Sequence, residues 1–174
     1  EDEVVGIYAE LTGEEGWYEF SGLATAGYII KAEPSPYSIY YGAFLPTYYG
    51  DVIHWEDATE IQLTQNTDGA HIHLVSAVSA PQGPGSVSGT IENSSRTVDV
   101  PIFLKTANPN AVVMTLSAAD GSYSFNDLAY GTYEIFAEIP GKSIVPMTID
   151  LNETNPSYEN VDMLVVGNEI VFLG

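Results

Sequence analysis

The chain has 174 residues, 45% of them apolar, with 24 acidic residues against four basic ones and a formal net charge of −20. That balance excludes nucleic acid and anionic membrane as partners, because phosphate binding needs Lys and Arg to displace counterions. The absence of cysteine removes disulfides, thiol chemistry and Cys-based zinc sites together.

Enough apolar surface is present for a packed core, and no apolar run approaches the roughly 18 residues that cross a bilayer, so no membrane insertion is expected. Dispersed carboxylates of this number keep a sheet protein soluble. They also make calcium the cofactor to expect, if there is one, at acid-rich loops such as Asn66-Thr67-Asp68-Gly69 and Asn152-Glu153-Thr154-Asn155. Glu1-Asp2-Glu3 shows no basic n-region followed by an apolar stretch, so no signal peptide is visible. The expectation is that one was removed or that the chain is an internal piece of a larger one.

In chain order, residues 4–11 give the first β-rich run, and 16–33 read G-W-Y-E-F-S-G-L-A-T-A-G-Y-I-I-K-A-E. Tyr18 and Phe20 alternate with polar neighbours, as a half-buried strand requires. A Pro/Gly-rich stretch, Ala80-Pro81-Gln82-Gly83-Pro84-Gly85, reads as a linker. Beyond it, Gly85-Ser86-Val87-Ser88-Gly89-Thr90-Ile91-Glu92 alternates like a strand, and residues 98–105, 111–116, 147–151 and 161–166 are further β-rich runs. No stretch carries a 3.6-residue period.

Residues 121–138, G-S-Y-S-F-N-D-L-A-Y-G-T-Y-E-I-F-A-E, repeat residues 16–33 at a constant offset of 105. Gly16, Tyr18, Phe20, Leu23, Ala24, Tyr28, Ala32 and Glu33 meet Gly121, Tyr123, Phe125, Leu128, Ala129, Tyr133, Ala137 and Glu138. Further on, Ile61-Gln62-Leu63 matches Ile149-Asp150-Leu151, and Ile72-His73-Leu74 matches Val161-Asp162-Met163. Matched blocks in the same order indicate a duplicated domain. The expected fold is all-β: two tandem seven-stranded β-sandwich domains, residues 1–80 and 81–174. The opening strand of the first is missing from the pattern. A missing strand leaves a sheet edge open to another chain, for which the apolar tail 170–173 of a neighbouring molecule is a candidate donor.

The D-G-x-Y-x-F-x-x-L-x-x-G-x-Y pattern of residues 120–133, with the runs 85–91 and 98–104 before it, resembles the carboxypeptidase regulatory-like domain family. These are transthyretin-like (Ig-like) β-sandwiches related in outline to Cna-B modules of bacterial surface proteins. The segment Phe44-Leu45-Pro46-Thr47-Tyr48-Tyr49-Gly50-Asp51, followed by Trp55-Glu56-Asp57-Ala58, is similar to tandem copies in large proteins exported by type IX secretion. The resemblance implies an extracellular or cell-surface location and no catalysis. Related Cna-B modules carry a Lys-to-Asn or Lys-to-Asp isopeptide bond set up by a buried Glu, and Glu138 and Glu33 stand where that Glu would be. The opening strand, however, contains no Lys. From the residues alone, Glu138 reads as an exposed strand end.

The repeats differ most after Glu33. Twenty-seven residues separate it from Ile61, against ten between Glu138 and Ile149. The insertion 34–60 holds seven of the chain's 20 aromatics. Tyr40, Tyr41, Tyr48, Tyr49 and Trp55, beside Asp51, Glu56 and Asp57, are what a sugar site would use, since rings stack on pyranose faces. The alternative is that the rings fold back and cap the sandwich. His71 and His73 share one face of one strand, a spacing that can chelate a metal with His54, Asp51, Glu56 or Asp57. Against this, the repeat carries Asn160 and Asp162 in their places, as a solvent-facing strand does.

No G-x-S-x-G, H-E-x-x-H or phosphate-loop pattern is present. The function expected is a non-catalytic extracellular module, a spacer or adhesive unit whose partners are other domains of its parent chain. Glycan binding through the insertion, or self-association through an open strand edge, are the alternatives.

Overall fold

The computed structural model describes residues 8–79, 81–92, 99–107 and 110–174. The expected run 4–11, the linker residue Ala80 and the start of the run 98–105 lie wholly or partly outside them. The described residues form an almost purely β structure. Its strands are β1 (Ala26–Tyr28), β2 (Lys31–Ala32), β3 (Thr47–Tyr48), β4 (Ile61–Leu63), β5 (Gln82–Glu92), β6 (Pro101–Ala107) and β7 (Asn110–Leu116). They continue as β8 (Ser122–Leu128), β9 (Gly131–Ala137), β10 (Ser143–Ile144), β11 (Met147–Leu151), β12 (Ser157–Tyr158), β13 (Met163–Val166) and β14 (Glu169–Phe172). No helix among these residues is long and apolar enough to cross a membrane.

The C-terminal half is a complete two-sheet sandwich. One sheet is antiparallel in the order β11-β9-β6-β7. The other runs β10-β14-β13-β5-β12, with β8 antiparallel on β5 and with β12 and β13 parallel to it. Alternation decides which side chains face inward. Val87, Ile91, Ile102, Leu104, Tyr123, Phe125, Tyr133, Ile135, Ile149, Leu151, Met163 and Ile170 all lie in one buried cluster. The expected inward pattern of Tyr123, Phe125 and Tyr133 is therefore what builds the core.

The β11-β9-β6-β7 sheet is covered on its outer face too. Phe103 and Phe136 alternate with the core residues, so they point away from it, yet both are buried. They stack on each other at 5.3 Å, and Phe136 stacks on His54 at 5.6 Å. Leu45, 1% exposed, joins the same buried cluster, and Ile53, Val75 and Ala77 pack against it. Part of the N-terminal half thus forms a third layer over the sandwich.

Among the described residues 8–79 no second seven-stranded sandwich is formed. Among the described residues this half holds two two-stranded sheets, β1-β4 and β2-β3. Of its buried side chains, Leu45 joins the core cluster and Tyr48 bonds to Glu138 of the C-terminal half. The duplication is nonetheless present in three dimensions. Tyr28 pairs with Ile61 and Ala26 with Leu63, as Tyr133 pairs with Ile149 and Gly131 with Leu151. The Tyr28 hydroxyl donates to the Ala24 carbonyl at 2.9 Å, and Tyr133 to Ala129 at 2.8 Å. Tyr18 and Phe20 meet edge-on at 6.0 Å, and Tyr123 and Phe125 at 6.4 Å. The Tyr18 hydroxyl donates to the Ala70 carbonyl, and its counterpart Tyr123 to that of Val161.

Candidate functional site

The polar centre of the molecule lies where the two halves meet. Glu138 follows β9, and its amide continues the ladder by donating to the Pro101 carbonyl at 2.9 Å. Parity places its side chain on the outer face with Phe136, beneath the N-terminal layer. It is therefore only 5% exposed, not the exposed strand end that the sequence suggests. One carboxylate oxygen, Oε1, accepts from the Tyr48 hydroxyl at 2.9 Å and from the Trp55 amide at 3.2 Å. The other, Oε2, has no hydrogen-bond partner among the described residues and lies 3.5 Å from His54 Nδ1.

Each partner is held by its own local chemistry. Tyr48 sits in β3, paired to β2 through Lys31, and its amide donates to the Val52 carbonyl at 2.7 Å. His54 caps a short 3-10 helix, Trp55–Asp57, its Nδ1 accepting from the Glu56 amide at 3.3 Å. Trp55 then spans the junction, its indole N–H donating to the Lys142 carbonyl at 3.0 Å. Beside it Ser143 Oγ donates to Glu56 Oε1 at 2.7 Å. Lys142 itself is used locally, donating to Gly167 and Asn168.

Burial dominates the electrostatics. Loss of solvent pushes the Glu138 carboxyl up to about 7, against the opposing pull of Tyr48, the Trp55 amide and the more distant Lys31 charge. Burial, with the negative field of Glu138, raises the Tyr48 phenol far above its ordinary range, so it stays a donor. In its acid form Glu138 turns the partnerless Oε2 into a donor facing the imidazole. Chemically the group is a protonatable clasp between two halves of a chain, closed off from any cleft.

The five ring residues expected to form one site are divided by the structure. Tyr48 is 2% exposed and Trp55 is half-buried, and both belong to the clasp. Tyr49 is half-buried, its amide donating to the Ile30 carbonyl. Tyr40 and Tyr41 are exposed at 57% and 49%, on the same loop as Tyr37 at 98%. The acidic and His candidates are also apart. Asp51 Oδ2 pairs with His73 Nδ1 at 2.9 Å and its Oδ1 accepts the His73 amide, which holds the Asp51 carboxyl below its ordinary range. Glu56 turns to Ser143, while Asp57 and His71 lie on the exposed surface. Among the described residues no group of three or more His, Asp or Glu side chains is arranged to hold a metal ion. In the loop 152–155, Asn152 Oδ1 accepts the amides of Thr154 and Asn155, so this side chain caps a turn.

Sequence reasoning missed Glu138, His54 and Tyr48 as one unit. The available signal was the repeated Glu33/Glu138 position, but nothing local links it to residues some 90 positions away.

No protein-family model matches the chain. It is 31% identical over 146 residues to Colossin-A of Dictyostelium discoideum, an alignment that covers 79% of this chain and spans 1% of that protein. Among solved structures, a point variant of BcpA, the major pilin subunit of Bacillus cereus, and BcpA itself align with TM-scores of 0.37 and 0.36. Each is 16% identical, covering 56% and 57% of this chain and 32% of the pilin chain. The likeness to carboxypeptidase regulatory-like domains rests on the residues quoted for it.

Proposed function

We propose that the chain is a non-catalytic structural module of a cell-surface or secreted protein, a spacer or adhesive unit in which a complete sandwich carries a clasped partial copy of itself. The observation that supports it is the use made of the polar residues. Glu138, Tyr48, Trp55, Glu56 and Ser143 all serve to bond one half to the other. A load-bearing role for the fold predicts one cooperative unit. In scanning calorimetry the chain is expected to show a single transition, with acrylamide quenching of Trp55 rising to its full extent only as the sandwich melts, in a Trp17→Phe background. Release of Trp55 well below the main transition would overturn the reading.

Glycan binding remains the second reading, supported by the exposed rings Tyr37, Tyr40 and Tyr41 on one loop. A glycan-array signal that Tyr40→Ala and Tyr41→Ala both abolish would put it first. Calcium binding at the acidic loops is likewise a proposal, for which a calcium-specific rise in melting temperature is the test.

A further inference from the structure

The segment that follows Ala70 is fastened to the insertion by the amides of alternate residues. His73 donates to Asp51 Oδ1 at 2.7 Å, Val75 to Thr47 Oγ1 at 2.9 Å and Ala77 to the Ala43 carbonyl at 2.9 Å. Leu45 returns a bond to the Val75 carbonyl at 2.8 Å. At the start of this segment burial alternates as in an extended chain: His71 and His73 are exposed, Ile72 and Leu74 half-buried. The two histidines therefore share a face, with Cα atoms about 6.6 Å apart.

Asp51 does more than accept an amide. Its other carboxylate oxygen, Oδ2, lies 2.9 Å from His73 Nδ1. A carboxylate only accepts, so the contact puts the proton of the neutral ring on Nδ1 and leaves the lone pair on Nε2. The two bonds from His73, the amide's first, hold the Asp51 carboxyl below its ordinary range and keep it in the accepting form. The His73 side chain is 82% exposed, which opens Nε2 to a ligand. Asp51 is itself aimed by a tight turn. Its amide donates to the Tyr48 carbonyl at 2.9 Å, Tyr48 and Val52 bridge across it, and Gly50 and Asp51 take positive φ values of 104° and 61°. That conformation is costly for a residue with a side chain, and here the strained residue is the one that orients the imidazole.

From this arrangement we propose that His71 and His73 form an open, two-imidazole site for a divalent transition-metal ion, Cu(II) ahead of Zn(II), with Asp51 as the positioning residue behind His73. A carboxylate on the far ring nitrogen is the usual support of a metal-bound histidine, because it fixes the ring and raises its basicity. Imidazole donors suit copper and zinc, and copper binds a given donor set more tightly. Two side chains do not close the coordination sphere, so water completes it, and the net charge of −20 concentrates cations around the site. His54, the third histidine of the chain, takes no part, since its ring stacks on Phe136 beneath the N-terminal layer.

The test titrates Cu(II) into the full chain by calorimetry and Zn(II) into the same chain by NMR of the imidazole rings. One Cu(II) per chain is expected, at a site that His71→Ala and His73→Ala each weaken roughly tenfold or more. Both variants replace exposed side chains, and an unchanged urea midpoint verifies that they fold. Asp51→Asn should cost about 10- to 100-fold in affinity and, in the metal-free protein, move the His73 proton from Nδ1 toward Nε2. Zinc should shift the ring signals of His71 and His73 and leave those of His54 in place. Copper binding that neither histidine variant weakens would assign the ion to surface carboxylates and overturn the proposal. So would a loss confined to His73→Ala, which leaves a single imidazole, or an Asp51→Asn variant of unchanged affinity.

Discussion

Glu138 is the residue on which the two halves turn, and its environment sets a pH dependence. Its ordinary value of 4.5 is raised to about 7 in the folded protein. The folded state therefore holds a proton that the unfolded state has lost between those limits. Its stabilising contribution is fully present below about 4.5 and disappears as pH rises through about 7, a change of about 3 kcal/mol from the shift. Urea midpoints of the wild type should fall across that window, and Glu138→Gln, neutral at every pH, should flatten the profile. Tyr48→Phe acts differently. Losing its donor is expected to cost about 1–3 kcal/mol, and because that bond favours the carboxylate, the upper end of the window should move to higher pH.

At the scale of elements, the sandwich strands were legible because their period-two alternation coincides with one-sided burial. β8 shows this directly, with Tyr123, Phe125 and Leu128 buried and Ser124 and Asn126 exposed. The alternation fails at the end of β9, where Ile135, Phe136, Ala137 and Glu138 are buried in succession. A strand covered on both faces gives no such pattern, and the cover here comes from Leu45, Tyr48 and His54, far away in sequence. The same blindness affected the insertion: composition gathered Tyr40, Tyr41, Tyr48, Tyr49 and Trp55 into one candidate, while the fold sends Tyr48 and Trp55 inward. Glycine illustrates the converse, a local residue whose meaning is tertiary. Gly89→Ala would force a methyl against the Val161 carbonyl, just before β13, and about 1–3 kcal/mol of stability should be lost. Gly13→Ala, whose new methyl would meet nothing nearer than 3.7 Å, should leave the urea midpoint unchanged.

Across the whole molecule the dominant field is self-repulsion from 24 acids against four bases. Raising NaCl from about 10 mM to about 150 mM shortens the screening length from about 30 Å to about 8 Å, so the melting temperature should rise. Glu138, shut away from solvent ions, should keep its pH window through the same titration. A melting temperature indifferent to salt would show that the surface carboxylates repel one another too weakly to matter.

The order in which the chain is made gives the clasp a further meaning. Tyr48 is separated from Glu138 by 90 positions and Trp55 from Lys142 by 87. At roughly 5–20 residues per second, the N-terminal segment leaves the ribosome several seconds before its acceptor exists. During that interval Leu45, Phe44 and the insertion's rings have nothing to cover them. The three prolines, Pro34, Pro36 and Pro46, and the carboxylates among those rings then act as guardians of a nascent chain, keeping an apolar segment from pairing with its neighbours until the strand that captures it has been synthesised.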